Sequence, residues 1–183
     1  MTKTSFFCSM YEYYSDEIRN GFFVSETMKH YWAAQLGVLA EIDRICKLHD
    51  CNWFADSGTL IGCVRHKGYI PWDDDLDIAM LRDDLEKFLQ YARKELPERY
   101  VILSAEDNDE YQYPFCRITN SRTINGNLDF LSANYGCPFV VGVDIFPLDK
   151  VYSDSQKEAD RVRRGNYVYQ TFKGMKGKQF PVS

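Results

Sequence analysis

FADSGTLIGCVRHKGYIPWDDDLDIAMLRDDLEKF, residues Phe54 to Phe88, brings three kinds of chemistry into one short stretch of chain. Trp53-Phe54-Ala55 reads as a short buried strand. The run from Ser57 then turns into a short helix that begins near Gly58 or Thr59. Backbone N–H groups at a strand-to-helix turn can cradle phosphate, and Gly58 lets the backbone approach a ligand closely. Arg65, His66 and Lys67 follow on the same element and can meet phosphate oxygens as cations. Asp73, Asp74, Asp75 and Asp77 then place four carboxylates within five positions.

Carboxylates at that density destabilise one another unless they are solvated or neutralised. In a strand over Leu76–Met80, residues two apart share a face, so Asp75 and Asp77 project together while Leu76 and Ile78 face a core. Two convergent hard oxygen donors suit Mg²⁺ or Mn²⁺, which keep waters and take substrate phosphates as further ligands. An EF-hand does not fit, because no register supplies Gly at the sixth position and Glu at the twelfth. Taken alone, each piece has a plain alternative: an ordinary turn, a basic surface patch, a charged loop before a strand. Their order in one segment is what raises them above it.

A third carboxylate, Asp144, is the only charge in the apolar run Phe139–Phe146. A lone buried carboxylate is costly without a partner. A cation shared with Asp75 and Asp77 would supply one, and is preferred here over the alternative, a neighbouring Arg such as Arg117.

Away from this centre, Ser25 or Thr27 can cap a helix continuing over Lys29–Leu48, with Met28, Trp32, Leu36, Leu39, Ile42 and Cys46 as its apolar stripe. Asp83, Asp84 and Glu86 open another helix with Leu85, Phe88, Leu89 and Ala92 inward, and Pro97 marks its end. Val101–Ser104, Gln112–Ile118 and Phe139–Phe146 are further strands, and a last helix runs from Ser153 or Asp154 to about Phe172. The first 24 residues read as an extended arm, and Asn120 and Asn125-Gly126-Asn127 as turns. Helices alternating with strands predict an α/β or α+β sheet domain spanning residues 1–183. Its core covers about 25–150, with a basic terminal helix over about 153–173.

Composition narrows the function classes. The 183 residues are 45% hydrophobic and 27% charged, which excludes a disordered or fibrous chain. No window approaches a membrane span, and the N-terminus lacks the apolar stretch of a secretory signal. Six cysteines without a CxxC pair read as reduced thiols of a cytoplasmic protein. Residues 1–149 carry a net charge of −10 and residues 150–183 a net charge of +5. The acidic body argues against nucleic-acid binding, while the basic end is either a solvated helix face or a peripheral contact with the inner face of a membrane.

The stretch Phe54–Phe88 closely resembles the LicD family of phosphotransferases, to which fukutin and fukutin-related protein belong. CRITNSRT (Cys116–Thr123) and GVDIFPLD (Gly142–Asp149) match the family's later motifs in the same order. The resemblance implies a nucleotidyltransferase-like fold, a small mixed β-sheet flanked by helices with metal carboxylates on neighbouring strands. It implies transfer of a substituted phosphate, such as phosphocholine or a polyol phosphate, from a CDP-activated donor. The acceptor would be a glycan of lipopolysaccharide, teichoic acid or capsule, either free or lipid-linked. Carried over by residue, the metal aspartates fall on Asp75 and Asp77 with Asp144 as third carboxylate, and the phosphate turn on Ser57, Gly58 and Thr59. The cationic contacts fall on Arg65, His66, Lys67, Arg117 and Arg122. Family members often read Gly where this chain has Ser57. The chain ends about 35 residues after GVDIFPLD. Two other readings therefore stay open: a nucleotidyltransferase in the narrow sense, and a non-catalytic nucleotide- and metal-binding module.

Overall fold

The computed structural model describes residues 13–108, 111 and 113–175, with side chains through 171. Backbone contacts divide the chain into two compact units, Met1–Leu148 and Asp149–Ser183.

The first unit opens on a hairpin, β1 (Glu17–Arg19) and β2 (Phe22–Val24), where the sequence reading expected an extended arm. The turn is Asn20-Gly21, with φ of 51° and 79°. These are the left-handed values that a two-residue hairpin of type I′ demands, and Asn-Gly supplies them. Residues 1–12 of the expected arm lie outside the described residues.

Helix α1 (Glu26–Leu48) is capped by Ser25, whose hydroxyl accepts from the Met28 N–H at 3.2 Å. Its buried face runs through Trp32, Gln35, Val38, Ile42, Ile45 and Cys46, broader than the predicted stripe and turned away from Leu36, which is 45% exposed. The shift has a cause: this helix covers the sheet with one flank and holds a polar loop with the next, so Lys29 and Gln35 are buried with the apolar residues.

The main sheet has the order β3-β4-β7-β6-β5. Its strands are β3 (Phe54–Ala55), β4 (Asp77–Leu81), β5 (Val101–Leu103), β6 (Cys116–Thr119) and β7 (Gly142–Leu148). Only the central pair β4–β7 is parallel, so the sheet is mixed, as expected. β6 starts at Cys116, later than predicted, and Gln112 lies outside the described residues. Alternation sends Ile78, Met80, Cys116, Ile118, Val143 and Ile145 into the core. There they meet Val38, Ile42 and Ile45 of α1 and Leu85, Phe88, Leu89 and Ala92 of α3 (Arg82–Glu95). Between β3 and β4 stand α2 (Ser57–Ile61) and one π-helical turn, Gly62–His66.

A short helix absent from the sequence reading, α4 (Leu128–Ala133), follows Asn127, whose side chain accepts from the Phe130 N–H at 2.8 Å. The described residues of the second unit form α5 (Ser155–Met175) after a short lead-in, capped by Asp154 through the Lys157 N–H at 2.9 Å.

The hairpin is tied to α1 by a buried cation. Lys29 is 3% exposed, donates to the Ser15 carbonyl at 2.7 Å and pairs with Glu17 at 3.1 Å. Removing one partner of such a pair leaves an uncompensated buried charge. Glu17→Ala is therefore expected to lower stability by about 2–3 kcal/mol, and Glu17→Ala with Lys29→Met to recover much of it. Denaturant melts of the two variants check this; equal losses would mean that the pair adds nothing.

Candidate functional site

The register of the central strands sets the geometry. Asp77 on β4 stands opposite Asp144 on β7, and Asp144 in turn stands opposite Arg117 on β6. All three occupy the sheet face away from the core, because Ile78, Ile145 and Ile118 beside them point inward. β4 begins only at Asp77, so Asp75 lies in the loop that leads into it; Leu76 and Ile78 are buried as predicted.

That loop is held from behind. Trp32 of α1 donates its indole N–H to the Asp73 carbonyl at 2.8 Å. Gln35 donates its amide to the Asp74 carbonyl at 2.8 Å and to the Gly142 carbonyl at 3.3 Å. Gln35 is 2% exposed and its Oε1 has no hydrogen-bond partner. It is a positioning residue that sequence reasoning missed, since a Gln at a helix position looks like a solvent-facing one. Carboxylate oxygens of Asp73, Asp74 and Asp75 lie within 4.8 Å of one another.

The predicted phosphate turn meets the same loop. Ser57 has φ 45°, in the left-handed region where glycine is more at ease than serine. A side chain at Gly58 would place its Cβ 2.5 Å from Asp73 Oδ2, so the Asp73 carboxylate would have to turn away to make room for it. Thr59 accepts the Asp77 backbone N–H at 2.8 Å, fixing the start of β4.

Electrostatics follow from the crowding. Asp77 is pushed up from 3.8 to about 6, first by burial and then by Asp144, Asp75 and Asp73. Burial, Asp74, Asp73 and Asp144 raise Asp75 as well. Tyr31 of α1 feels Asp74 and Asp75 and is raised, chiefly by its burial. Against these acids stands Arg117, bonded through Nε to Asp144 Oδ1 and through Nη2 to Oδ2 at 2.6 Å. Asp144 thus has the Arg partner that the sequence reading set second, while facing Asp77 across β4 and β7.

The other candidate cations are distributed differently. Arg65 donates Nε–H to His66 Nε2 at 2.8 Å, and the Asn20 amide of the hairpin turn lies 3.0 Å from His66 Nδ1. Lys67 caps its own turn by donating to the Val64 carbonyl at 3.0 Å. Arg122 lines a separate cleft of about 350 Å³ along β5, with Arg93, Tyr100 and Asp107 among its neighbours. Phe146, on the face of Asp144, packs against Phe115 at 4.8 Å, and Tyr111 and Tyr113 extend that aromatic group.

Among the described residues the carboxylates whose oxygens converge are Asp73, Asp74 and Asp75, and a hard divalent cation would relieve the crowding along this loop and the row beside it. Asp75 and Asp77 are both raised by neighbouring carboxylates, a repulsion that a cation would relieve, and Asp144 is the third oxygen donor in register with Asp77. Asp144 would serve it with the oxygens that now receive Arg117.

Two outcomes follow from this arrangement. A carboxylate with a raised folded pKa favours the fold below about pH 4 and ceases to as pH rises through about 6. Asp77→Asn should therefore raise the stability of the metal-free protein at pH 8 by about 1–2 kcal/mol after allowance for solvent screening. That gain should fade toward pH 4, and Mg²⁺ should stabilise the variant less than it stabilises the parent. Thermal melts across pH with and without Mg²⁺ read this; a variant less stable at pH 8 than at pH 4 relative to the parent contradicts it. Gln35→Leu should cost about 1–3 kcal/mol by leaving the Asp74 carbonyl of the loop and the Gly142 carbonyl of β7 without their donor. Hydrogen exchange should then quicken at Asp75–Asp77, and unchanged protection there would remove Gln35 from the site.

Residues 50–169 match the family described as LicD/FKTN/FKRP, nucleotidyltransferase domain. Over 98 residues the chain is 35% identical to the lipopolysaccharide cholinephosphotransferase LicD of Haemophilus influenzae, a match covering 53% of this chain and 37% of that protein. An uncharacterised protein of Rickettsia typhi is 48% identical over 42 residues, 23% of this chain and 14% of the relative. One of Rickettsia prowazekii is 50% identical over 36 residues, 20% of this chain and 14% of the relative. The matches thus span well under half the length of these relatives. With the family match covering residues 50–169 and Asp77, Asp144 and Arg117 in one row across its sheet, the chain belongs to the LicD/FKTN/FKRP nucleotidyltransferase-domain family.

Proposed function

We propose that this chain carries the donor-handling site of a metal-dependent phosphotransferase. It would move a substituted phosphate, phosphocholine or a polyol phosphate, from a CDP-activated donor to a hydroxyl of a cell-surface glycan. The observation that carries this reading is the row Asp77–Asp144–Arg117 across three strands, with the Ser57–Thr59 turn locked onto the start of that row by Thr59. The cholinephosphotransferase relative in Haemophilus influenzae supports the head-group class.

In this reading Asp75 and Asp77, with Asp144, hold Mg²⁺ or Mn²⁺, which when bound neutralises charge on the phosphate oxygens. The backbone of Ser57, Gly58 and Thr59 receives the donor's phosphates, and Arg65 and Lys67 supply cationic contacts beside it. Arg117 offers a guanidinium at the far end of the row, where a phosphate oxygen can share it with Asp144. The acceptor oxygen forms a bond to the transferred phosphorus as the bond to the CMP oxygen breaks, so the chain's task is mainly positioning and charge stabilisation. Among the described residues no helix is long and apolar enough to cross a membrane, so a lipid-linked acceptor would be met at the surface.

The test is a donor panel of CDP-choline, CDP-glycerol and CDP-ribitol with Mg²⁺ or Mn²⁺, reading released CMP. One donor should turn over, and Asp75→Asn should abolish release. Arg65→Ala should raise the donor Kd by roughly one to two decades, the loss of one charge-assisted contact. Donor binding without CMP release would instead make the chain a nucleotide-binding module, and release of pyrophosphate from CTP would make it a nucleotidyltransferase in the narrow sense.

A further inference from the structure

The chain has three tryptophans, and two of them are engaged inside the fold. Trp32 is 1% exposed and holds the Asp73 carbonyl, while the half-buried Trp53 donates to Asp43 at 3.1 Å. Trp72 is 55% exposed. It sits at the tip of a tight turn, Ile70-Pro71-Trp72-Asp73, closed by the Asp73 N–H donating to the Ile70 carbonyl at 3.0 Å. Pro at the second position fixes such a turn, and buried Ile70 and Pro71 anchor its first half. The Trp32 indole anchors its far end. The backbone that presents Trp72 is therefore rigid although the ring is open.

The ring itself is flanked. Phe22 of β2 meets it at 6.0 Å between centroids and 65°, and His66 meets it at 5.9 Å and 82°. His66 is held by Arg65 on one nitrogen and faces Asn20 of the hairpin turn on the other. So the β1–β2 hairpin, which precedes the family-matched residues 50–169, steadies one aromatic surface next to the acidic loop. Trp72 and Asp75 are three residues apart, at most ~10 Å along the chain, a span that a nucleoside diphosphate covers.

We infer that Trp72 is the stacking platform for the nucleobase of the donor, with Phe22, Asn20 and His66 fixing its orientation. This rests on the nucleotide-donor reading above and adds the base subsite to it. A flat, uncharged base can approach this surface even though Asp73, Asp74 and Asp75 follow directly, whereas an anionic membrane would be repelled by them. Stacking on an aromatic side chain tolerates different bases, so Trp72 contributes affinity and placement rather than choice of base.

The full chain, with Mg²⁺ present, is titrated with CMP and, as a probe without a base, ribose 5-phosphate. CMP should quench tryptophan fluorescence in the parent and not in Trp72→Leu, which keeps an apolar side chain against Phe22. Calorimetry should show Trp72→Leu and Trp72→Ala weakening CMP by roughly 5- to 150-fold, with ribose 5-phosphate affinity unchanged. Phe22→Ala should weaken CMP in the same direction by less. Unchanged CMP affinity in both Trp72 variants overturns the platform and leaves the donor reading standing. Equal weakening of CMP and ribose 5-phosphate also overturns it, since Trp72 would then shape the loop rather than hold the base. Failure of the parent to bind CMP overturns both.

Discussion

Five carboxylates, Asp73, Asp74, Asp75, Asp77 and Asp144, are gathered at one end of a small sheet, and their mutual repulsion is the constraint the surrounding structure answers. Their side chains gain from separating, so the backbone must be fixed by groups that do not touch the charges. Trp32 and Gln35 do this from the buried flank of α1, bonding carbonyls of the loop and of β7. Thr59 does it from the other side by taking the Asp77 N–H. Buried polar residues on a helix are costly unless bonded, and here their bonds hold the acidic loop in place. One guanidinium, Arg117, offsets part of the charge. Burial and the repulsion that remains together raise Asp77 and Asp75.

Much of this was legible in the sequence because period and chemistry agree there. Alternation around Leu76 and Ile78, the apolar face of α3 and the Ser25 cap appear where patterning puts them, and the strand carrying Asp144 forms but runs Gly142–Leu148 rather than Phe139–Phe146. The misses share a physical origin. The face of α1 is set by a loop more than 35 residues away in sequence, so a period count centred on leucines turned it the wrong way at Leu36. Gln35 carries no local signal at all. The hairpin did carry one, Asn20-Gly21, whose left-handed preference marks a type I′ turn. Aromatic residues on both sides concealed it. Asn127 before Leu128 was a helix cap as well as turn material.

Asp144 shows why two readings of one residue need not exclude each other. Sequence posed a choice between a cation and an arginine as its partner. Register gives Asp144 a neighbour on each side, Asp77 across the parallel pair and Arg117 across the antiparallel one. Gly142 makes room for this, since a Cβ there would stand 3.2 Å from Arg117 Cγ and 3.0 Å from the Ile118 carbonyl. Arg117 can therefore lie flat along the strand and reach both carboxylate oxygens. A carboxylate so placed shares its charge with a guanidinium on one side while standing in register with a second carboxylate on the other.

The segment between β3 and β4 explains how phosphate-type and metal-type groups are kept in one place. α2 is too short to be stable by its own hydrogen bonds, and it passes straight into a π turn, a wider winding often found at functional sites. Two glycines make that path possible: Gly58 lies against the Asp73 carboxylate, and at Gly62 a Cβ would fall 2.5 Å from the Gly68 carbonyl. The turn closes at Lys67 with φ 57°, which returns the chain toward Ile70 and the Trp72 corner. Bulk at Gly62 would push against backbone at Gly68 and Ile70, whereas at Gly58 it would displace the Asp73 carboxylate. The separation between the basic turn and the acidic loop in this chain thus rests on one close backbone approach, at Gly62, and one close approach of backbone to a carboxylate, at Gly58.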